Sequence, residues 1–299
     1  MCIILAGPTC GRTLAEYGAE VIKIDPEHRK PALTSWLDVG RGKRSICLDV
    51  TKPGGLEIFD RLSDTADVVL QGFRKGVADR LGMGYERLRD RNPGIIYVSI
   101  NAFGQAGPWS TRPGFEQNAQ AATGMQTRIG GRGGTPDISG YTFNDYGTGL
   151  IAAYGAMMAL LERDRTGLGQ CVEAALSYTA STFSSPYLLD YQGYQRTEIE
   201  GPYARGFSAL NRLYQATDGW FFLSADGEGE WERLAALAPL SYLGESELFS
   251  TQQFRMENDA ALAEKLSNIF ATKTVLDWAS LFWSVGVALA PNRGIAEVS

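Results

Sequence analysis

Apolar runs alternate with helical periodicities through residues 1–200. An apolar run at 3–6 leads into Gly7-Pro8-Thr9-Cys10-Gly11, which reads as a tight turn, and then a helical stretch at 12–17 that Gly18 stops. Strand patterns follow at 19–24, 45–50, 67–71 and 94–101, with helical segments at 54–63 and 85–90 between them. Such β–α alternation predicts an α/β unit with a mostly parallel sheet, because parallel neighbours need a crossover that packs back on the sheet.

Residues 104–140 break the pattern. They are rich in glycine, and a stretch of this length is more often a functional loop than a spacer; a short helix over 116–125 fits within it. The strongest helical pattern spans 146–163, where Leu150, Ile151, Tyr154, Met157, Met158 and Leu161 share one broad apolar face of the kind that packs on a core, while the small residues Ala152, Ala153, Gly155 and Ala156 allow close packing of neighbours. A strand at 170–175 and a helix at 176–191 follow. Beyond a Pro/Gly boundary at 202–206, a hairpin (213–216 and 220–225) and helices at 230–237, 258–270 and 274–285 predict a smaller α+β domain. The expected domains are therefore 1–200 and 201–299.

Composition removes several function classes. The net charge is −6, so nothing pulls the chain toward nucleic acid or anionic lipid, and no apolar run is long enough to span a membrane. The first residues lack the basic region of a signal peptide, and the four cysteines show no CxxC pair, which suits a reduced, cytoplasmic protein. The one histidine, His28, sits in a polar loop, which argues against a Ser-His-Asp triad or a His-rich metal site. Chemistry must come from carboxylates, thiols, hydroxyls or backbone groups.

Asp145 opens the long helix. It is either an N-cap or a nucleophile, and a helix N-terminus favours its ionised form. Glu116 is either a second carboxylate near it or an exposed loop acid. Gly40-Arg41-Gly42-Lys43-Arg44-Ser45 and Gly72-Phe73-Arg74-Lys75-Gly76 are basic words, the second just past a strand end. Together they are either solvated charge or two loops on one sheet edge suited to a phosphorylated ligand. The first turn carries no GxGxxG or P-loop pattern.

Read in order, these words resemble the class III CoA-transferases. The resemblance runs through Leu5-Ala6-Gly7-Pro8, Leu14-Ala15-Glu16-Tyr17-Gly18-Ala19-Glu20-Val21-Ile22-Lys23-Ile24, Gly42-Lys43-Arg44-Ser45-Ile46 and Gly72-Phe73-Arg74-Lys75-Gly76-Val77. It continues in Ser99-Ile100-Asn101-Ala102-Phe103-Gly104, Asn144-Asp145-Tyr146-Gly147-Thr148-Gly149 and Asp218-Gly219-Trp220. What it implies is a Rossmann-like large domain, a small domain and an interlocked homodimer. The activity implied is an acyl-CoA:carboxylate CoA-transferase working through an aspartyl-CoA thioester, with coenzyme A thioesters as substrates, no tightly bound cofactor and no metal. Asp145 matches the family's nucleophile and Glu116 its supporting acid. Lys43, Arg74 and Arg80 match CoA contacts, and residues 201–206 loosely match a glycine-rich loop that would steady oxyanions.

The alternatives in the same resemblance are an α-methylacyl-CoA racemase or epimerase and a non-catalytic CoA-binding member. Racemases of the fold need a histidine before the acid of the Glu116 motif, where this chain has Phe115. The resemblance also implies that the family's lead into the first strand and its C-terminal return segment are missing. Leu5 replaces a glutamine of oxalate-handling members.

Overall fold

The computed structural model describes residues 1–2, 4–27, 33–195 and 198–298; His28 lies outside them. The chain divides into two compact units, Met1–Tyr194 and Gln195–Ser299, where the sequence placed the division between 200 and 201.

The first unit runs α1 (Ala6–Glu16), β1 (Val21–Asp25), α2 (Leu33–Val39), β2 (Lys43–Cys47), α3 (Pro53–Ser63), β3 (Val68–Gln71), α4 (Val77–Arg80) and α5 (Tyr85–Arg91). It continues with β4 (Ile96–Asn101), α6 (Glu116–Ala122), α7 (Met125–Gly130), α8 (Phe143–Thr166), β5 (Cys171–Ala175) and α9 (Leu176–Phe183). All its strand pairs are parallel: β1 with β2, and β3 and β5 on either side of β4. The alternation of side chains along β4 feeds two cores. Ile96, Val98 and Ile100 join Ala152, Ala153 and Ala156 of α8 on one face, while Ile95 and Tyr97 join Phe59, Met83 and Leu88 on the other.

Two expectations fail here for physical reasons. The segment Gly7–Gly11 is not a turn but the first turns of α1. A proline is tolerated there because first-turn amides have no intrahelical partner to lose. Glycine at 7 is required by space, since a Cβ would lie 2.3 Å from Cys2 Sγ.

The second failure is the burial of α8. The large apolar residues assigned to its inner face point outward, Tyr154 at 68% exposure and Leu161 at 57%. Thr148, Gly149, Ala152, Ala153, Ala156 and Ala159 are buried instead. Close approach decides this: a Cβ on Gly149 would lie 2.6 Å from Ala6 O of α1, and one on Gly155 would lie 2.7 Å from Val172 of β5. Only small side chains fit between backbones so near.

The second unit carries an antiparallel sheet of β6 (Gly206–Ser208), β7 (Asn211–Gln215), β8 (Trp220–Ser224) and β9 (Ala288–Pro291), in that order. Helices α10 (Glu228–Ala235), α11 (Ser241–Gly244), α12 (Gln252–Glu257), α13 (Asp259–Phe270) and α14 (Val275–Ser284) lie between β8 and β9 in the chain. Its core is aromatic, with Tyr214, Phe221, Trp231, Phe249, Phe270, Trp278 and Phe282 buried together.

Candidate active site

The site is built at the start of α8. Thr142 precedes the helix and makes no side-chain cap, so Phe143, Asn144 and Asp145 present first-turn amides without intrahelical acceptors. Glu116, the first residue of α6, supplies the missing acceptor from across the unit. Its Oε2 accepts from Asp145 N at 2.7 Å, and its Oε1 accepts from Asn144 N at 3.3 Å and Asn144 Nδ2 at 2.8 Å. Gln120 Nε2, one turn further along α6, donates to Oε1 at 2.8 Å. Glu116 is only 2% exposed, so the loop-acid alternative is removed. Two helix N-termini and four N–H donors offset the burial of its charge.

Asp145 is treated very differently. It sits at the third helical position rather than the N-cap, 9% exposed. Its carboxylate receives a backbone hydrogen bond from Ala6, the first residue of α1. Burial, and then the neighbouring Glu116 charge, push its pKa up to about 7 against the lowering effect of the Ala6 amide. The expectation that the helix N-terminus keeps it low is thus overturned. A dipole contributes about 0.3–1 kcal/mol, too little against removing a carboxylate from water beside a second one.

Other groups fix this geometry. Tyr146 donates to Asp38 Oδ2 at 2.6 Å, and Arg12 of α1 binds the other oxygen of Asp38 at 2.8 Å, which ties α1, α2 and α8 together. Gln120 accepts from Ser139 N at 3.1 Å and so anchors the approach to α8. Two buried polar atoms, Asn144 Oδ1 and Thr9 Oγ1, have no partner. The orientation of the Asn144 amide follows from Glu116, which needs donors. Sequence reasoning missed Gln120, Tyr146 and Ala6; the i, i+4 spacing of Glu116 and Gln120 on one helix was the available signal.

The basic residues sit on different elements. Lys43 is not on a loop but opens β2, at its amino end, so the basic words do not share the carboxyl edge of a sheet. Its Nζ donates to Pro8 O of α1 at 2.6 Å, and burial lowers its pKa to about 8. Arg74 follows the carboxyl end of β3 and Arg80 ends α4. Both are exposed and carry no ion pair among the described residues. Residues 201–206 belong to the second unit, as a turn closed by Ala204 N on Gly201 O that runs into β6. Among the described residues no group of His, Cys, Asp or Glu could hold a metal ion, and no helix is long and apolar enough to cross a membrane.

Known proteins share this chain's sequence and architecture. The model of CoA-transferase family III matches residues 1–299. The chain belongs to that family. Chloroflexus aurantiacus succinyl-CoA–D-citramalate CoA-transferase is 33% identical, over 88% of this chain and 69% of its own length. Human α-methylacyl-CoA racemase is 30% identical, over 98% of this chain and 75% of its own. A crystal structure of a Mycobacterium tuberculosis protein, 31% identical, superposes with a TM-score of 0.86 over 99% of this chain and 80% of that one. The family III chain is thus related both to transferases and to a racemase, and its mixed α/β fold with parallel sheets is the family's.

Proposed function

We propose that the chain is an acyl-CoA:carboxylate CoA-transferase in which Asp145 attacks the donor thioester. The observation that carries this reading is a carboxylate at the head of α8 that accepts one backbone donor and has a pKa of about 7, so near neutrality a large fraction is ionised and poorly solvated. Asp145 oxygen adds to the acyl carbon, the C–S bond breaks, and a mixed anhydride and a CoA thiolate form. The thiolate then attacks the aspartyl carbonyl and releases the donor acid, leaving an aspartyl-CoA thioester. The acceptor carboxylate enters by the reverse of these steps and regenerates Asp145.

Glu116 acts as the positioning acid: it holds the first turn of α8 and raises the basicity of Asp145. Lys43, Arg74 and Arg80 supply cationic contacts to CoA, with Arg74 and Arg80 the exposed ones. CoA thioesters are substrates and no bound cofactor takes part. The large unit is Rossmann-like in role, binding CoA on a parallel sheet, and the protein works as an interlocked cytoplasmic homodimer. The outward apolar face of α8 supports association, since a patch of Leu150, Ile151, Tyr154, Met157, Met158 and Leu161 is unusual for a lone surface.

Racemisation is the competing chemistry, because a racemase is among the relatives. It is disfavoured by Phe115, which stands beside Glu116 where an imidazole would be needed. The deciding experiment incubates the protein with acyl-CoA donors and reads intact mass. A covalent CoA adduct on Asp145, absent in Asp145→Ala and discharged by hydroxylamine, is expected. Loss of α-deuterium from the donor without any adduct or acyl exchange would replace the transferase with an epimerase.

A further inference from the structure

We propose that the second unit contains a separate anion site, formed by Arg205, Arg212 and Trp220, that takes a small organic carboxylate. A cavity of about 320 Å³ opens there, lined by both arginines and Trp220 together with Leu213, Gln215 and Ser267 among others, and none of its lining residues is acidic. At roughly 30 Å³ per water it has room for about ten waters' worth of ligand.

The cations are held in place for this use. The Arg205 guanidinium lies 4.9 Å from the Trp220 ring centroid, and that of Arg212 lies 5.5 Å from the Tyr214 ring. Stacking of this kind fixes the guanidinium plane and leaves its edge donors for a carboxylate. Neither arginine makes an ion pair among the described residues, whereas Arg233 and Arg255 of the same unit each pair with a glutamate. Arg212 Nε is buried with no hydrogen-bond partner, although a buried guanidinium donor is seldom left unmet.

The backbone is shaped around it. Gly206 on β6 is paired with Arg212 on β7, and a Cβ at Gly206 would lie 2.2 Å from Arg212 Cβ. Glycine there lets the two strands close beside the cation. The remaining walls are mostly apolar, with Leu213, Ala216 and Ala271 beside the aromatic rings. Paired cations against an apolar wall favour an organic acid over a strongly hydrated inorganic anion. Gln215 and Ser267 add neutral polar groups, and Ser267 Oγ already donates to Ala263 O at 2.7 Å, which leaves it as an acceptor for a hydroxyl or protonated group.

Calorimetric titration of the full chain with benzoate, and separately with inorganic phosphate, tests the site. Saturable benzoate binding is expected, with phosphate weaker. Arg205→Met and Arg212→Met, which keep most of the apolar stem, should each weaken benzoate by about tenfold. Arg205 is exposed, so its variant folds independently of any packing role for Arg212. Asp145→Asn leaves the binding unchanged, which separates this site from the transfer centre. The proposal is overturned by wild-type affinity in the double arginine variant, by no saturable benzoate binding below about 50 mM, or by phosphate binding as tightly as benzoate.

Discussion

The two units solve the problem of a core in opposite ways. Around the carboxylates of the first unit the buried residues are small, Ala6, Ala119, Ala152, Ala153 and Ala156, whereas the second unit buries seven aromatic side chains together, with four rings packed on that of Phe270. Small residues bury little apolar area, but they let backbones come within hydrogen-bonding reach. That is how the start of α1 meets Asp145 and how α8 lies on β5. Bulk stabilises one unit; proximity equips the other.

The largest expected effect is on the aromatic side of that contrast. Trp278 is fully buried, lies edge-on to Phe270 at 5.1 Å, and donates from Nε1 to Phe270 O at 2.9 Å. Trp278→Ala should cost about 3–5 kcal/mol, read by urea denaturation. A loss below about 1 kcal/mol would mean that this core relaxes around the gap, and the contrast between the units would weaken.

Next in size is a gain on the site side. The pKa of Asp145 is raised in the folded state, so the native protein holds its proton more tightly than the unfolded chain. Its contribution is therefore favourable below the unfolded value near 3.8 and is lost as pH rises through about 7. Asp145→Asn should be more stable than wild type at pH 8 by about 2–4 kcal/mol, with the difference shrinking toward pH 4. Activity should run the other way and rise through pH 7, because the ionised carboxylate is the nucleophile. Denaturation curves at three or more pH values check the first expectation and a rate profile checks the second.

This divergence marks how far the sequence could be read. The strands of the first unit were legible from their apolar runs, and β3, β4 and β5 lie within two residues of the expected ranges at each end. Glu116 and Asp145 were legible as candidates, but their meeting was not, because they stand 29 positions apart in the chain on different helices. The polarity of α8 was misread for a specific reason. Hydrophobic periodicity ranks Leu and Met above Ala and Gly, so where backbone approach selects small residues the strongest apolar stripe is the outer one. Desolvation was invisible too: a helix N-terminus can be inferred from sequence, but the burial that outweighs it cannot.

Gly149 sharpens the proximity claim. A Cβ there would fall 2.6 Å from both Ala6 O and Thr9 Cβ, and backbone cannot yield as a flexible side chain does. Gly149→Val should destabilise by about 1–3 kcal/mol and also lower transfer activity, since parting α1 from α8 withdraws the Ala6 amide from Asp145. The discriminating control is Leu161→Ala on the exposed face of the same helix, measured at a concentration where the protein is monomeric. There the stability change should stay within about 0.5 kcal/mol.

The smallest expected effect tests the pair itself. Glu116 both caps α8 and raises the pKa of Asp145 through its charge. Glu116→Gln keeps the shape and one acceptor while removing the charge, so the midpoint of the pH–rate profile should fall from about 7 by roughly one pH unit. It should not reach the ordinary carboxylate range, because burial is the larger cause and remains. The variant also sets an amide donor against the first-turn amides of α8, so some stability is lost at every pH. That loss alone cannot move the midpoint, which separates the two roles. An unmoved midpoint would leave Glu116 as a cap and nothing more, and the difference between the two carboxylates would then rest on solvent exclusion alone.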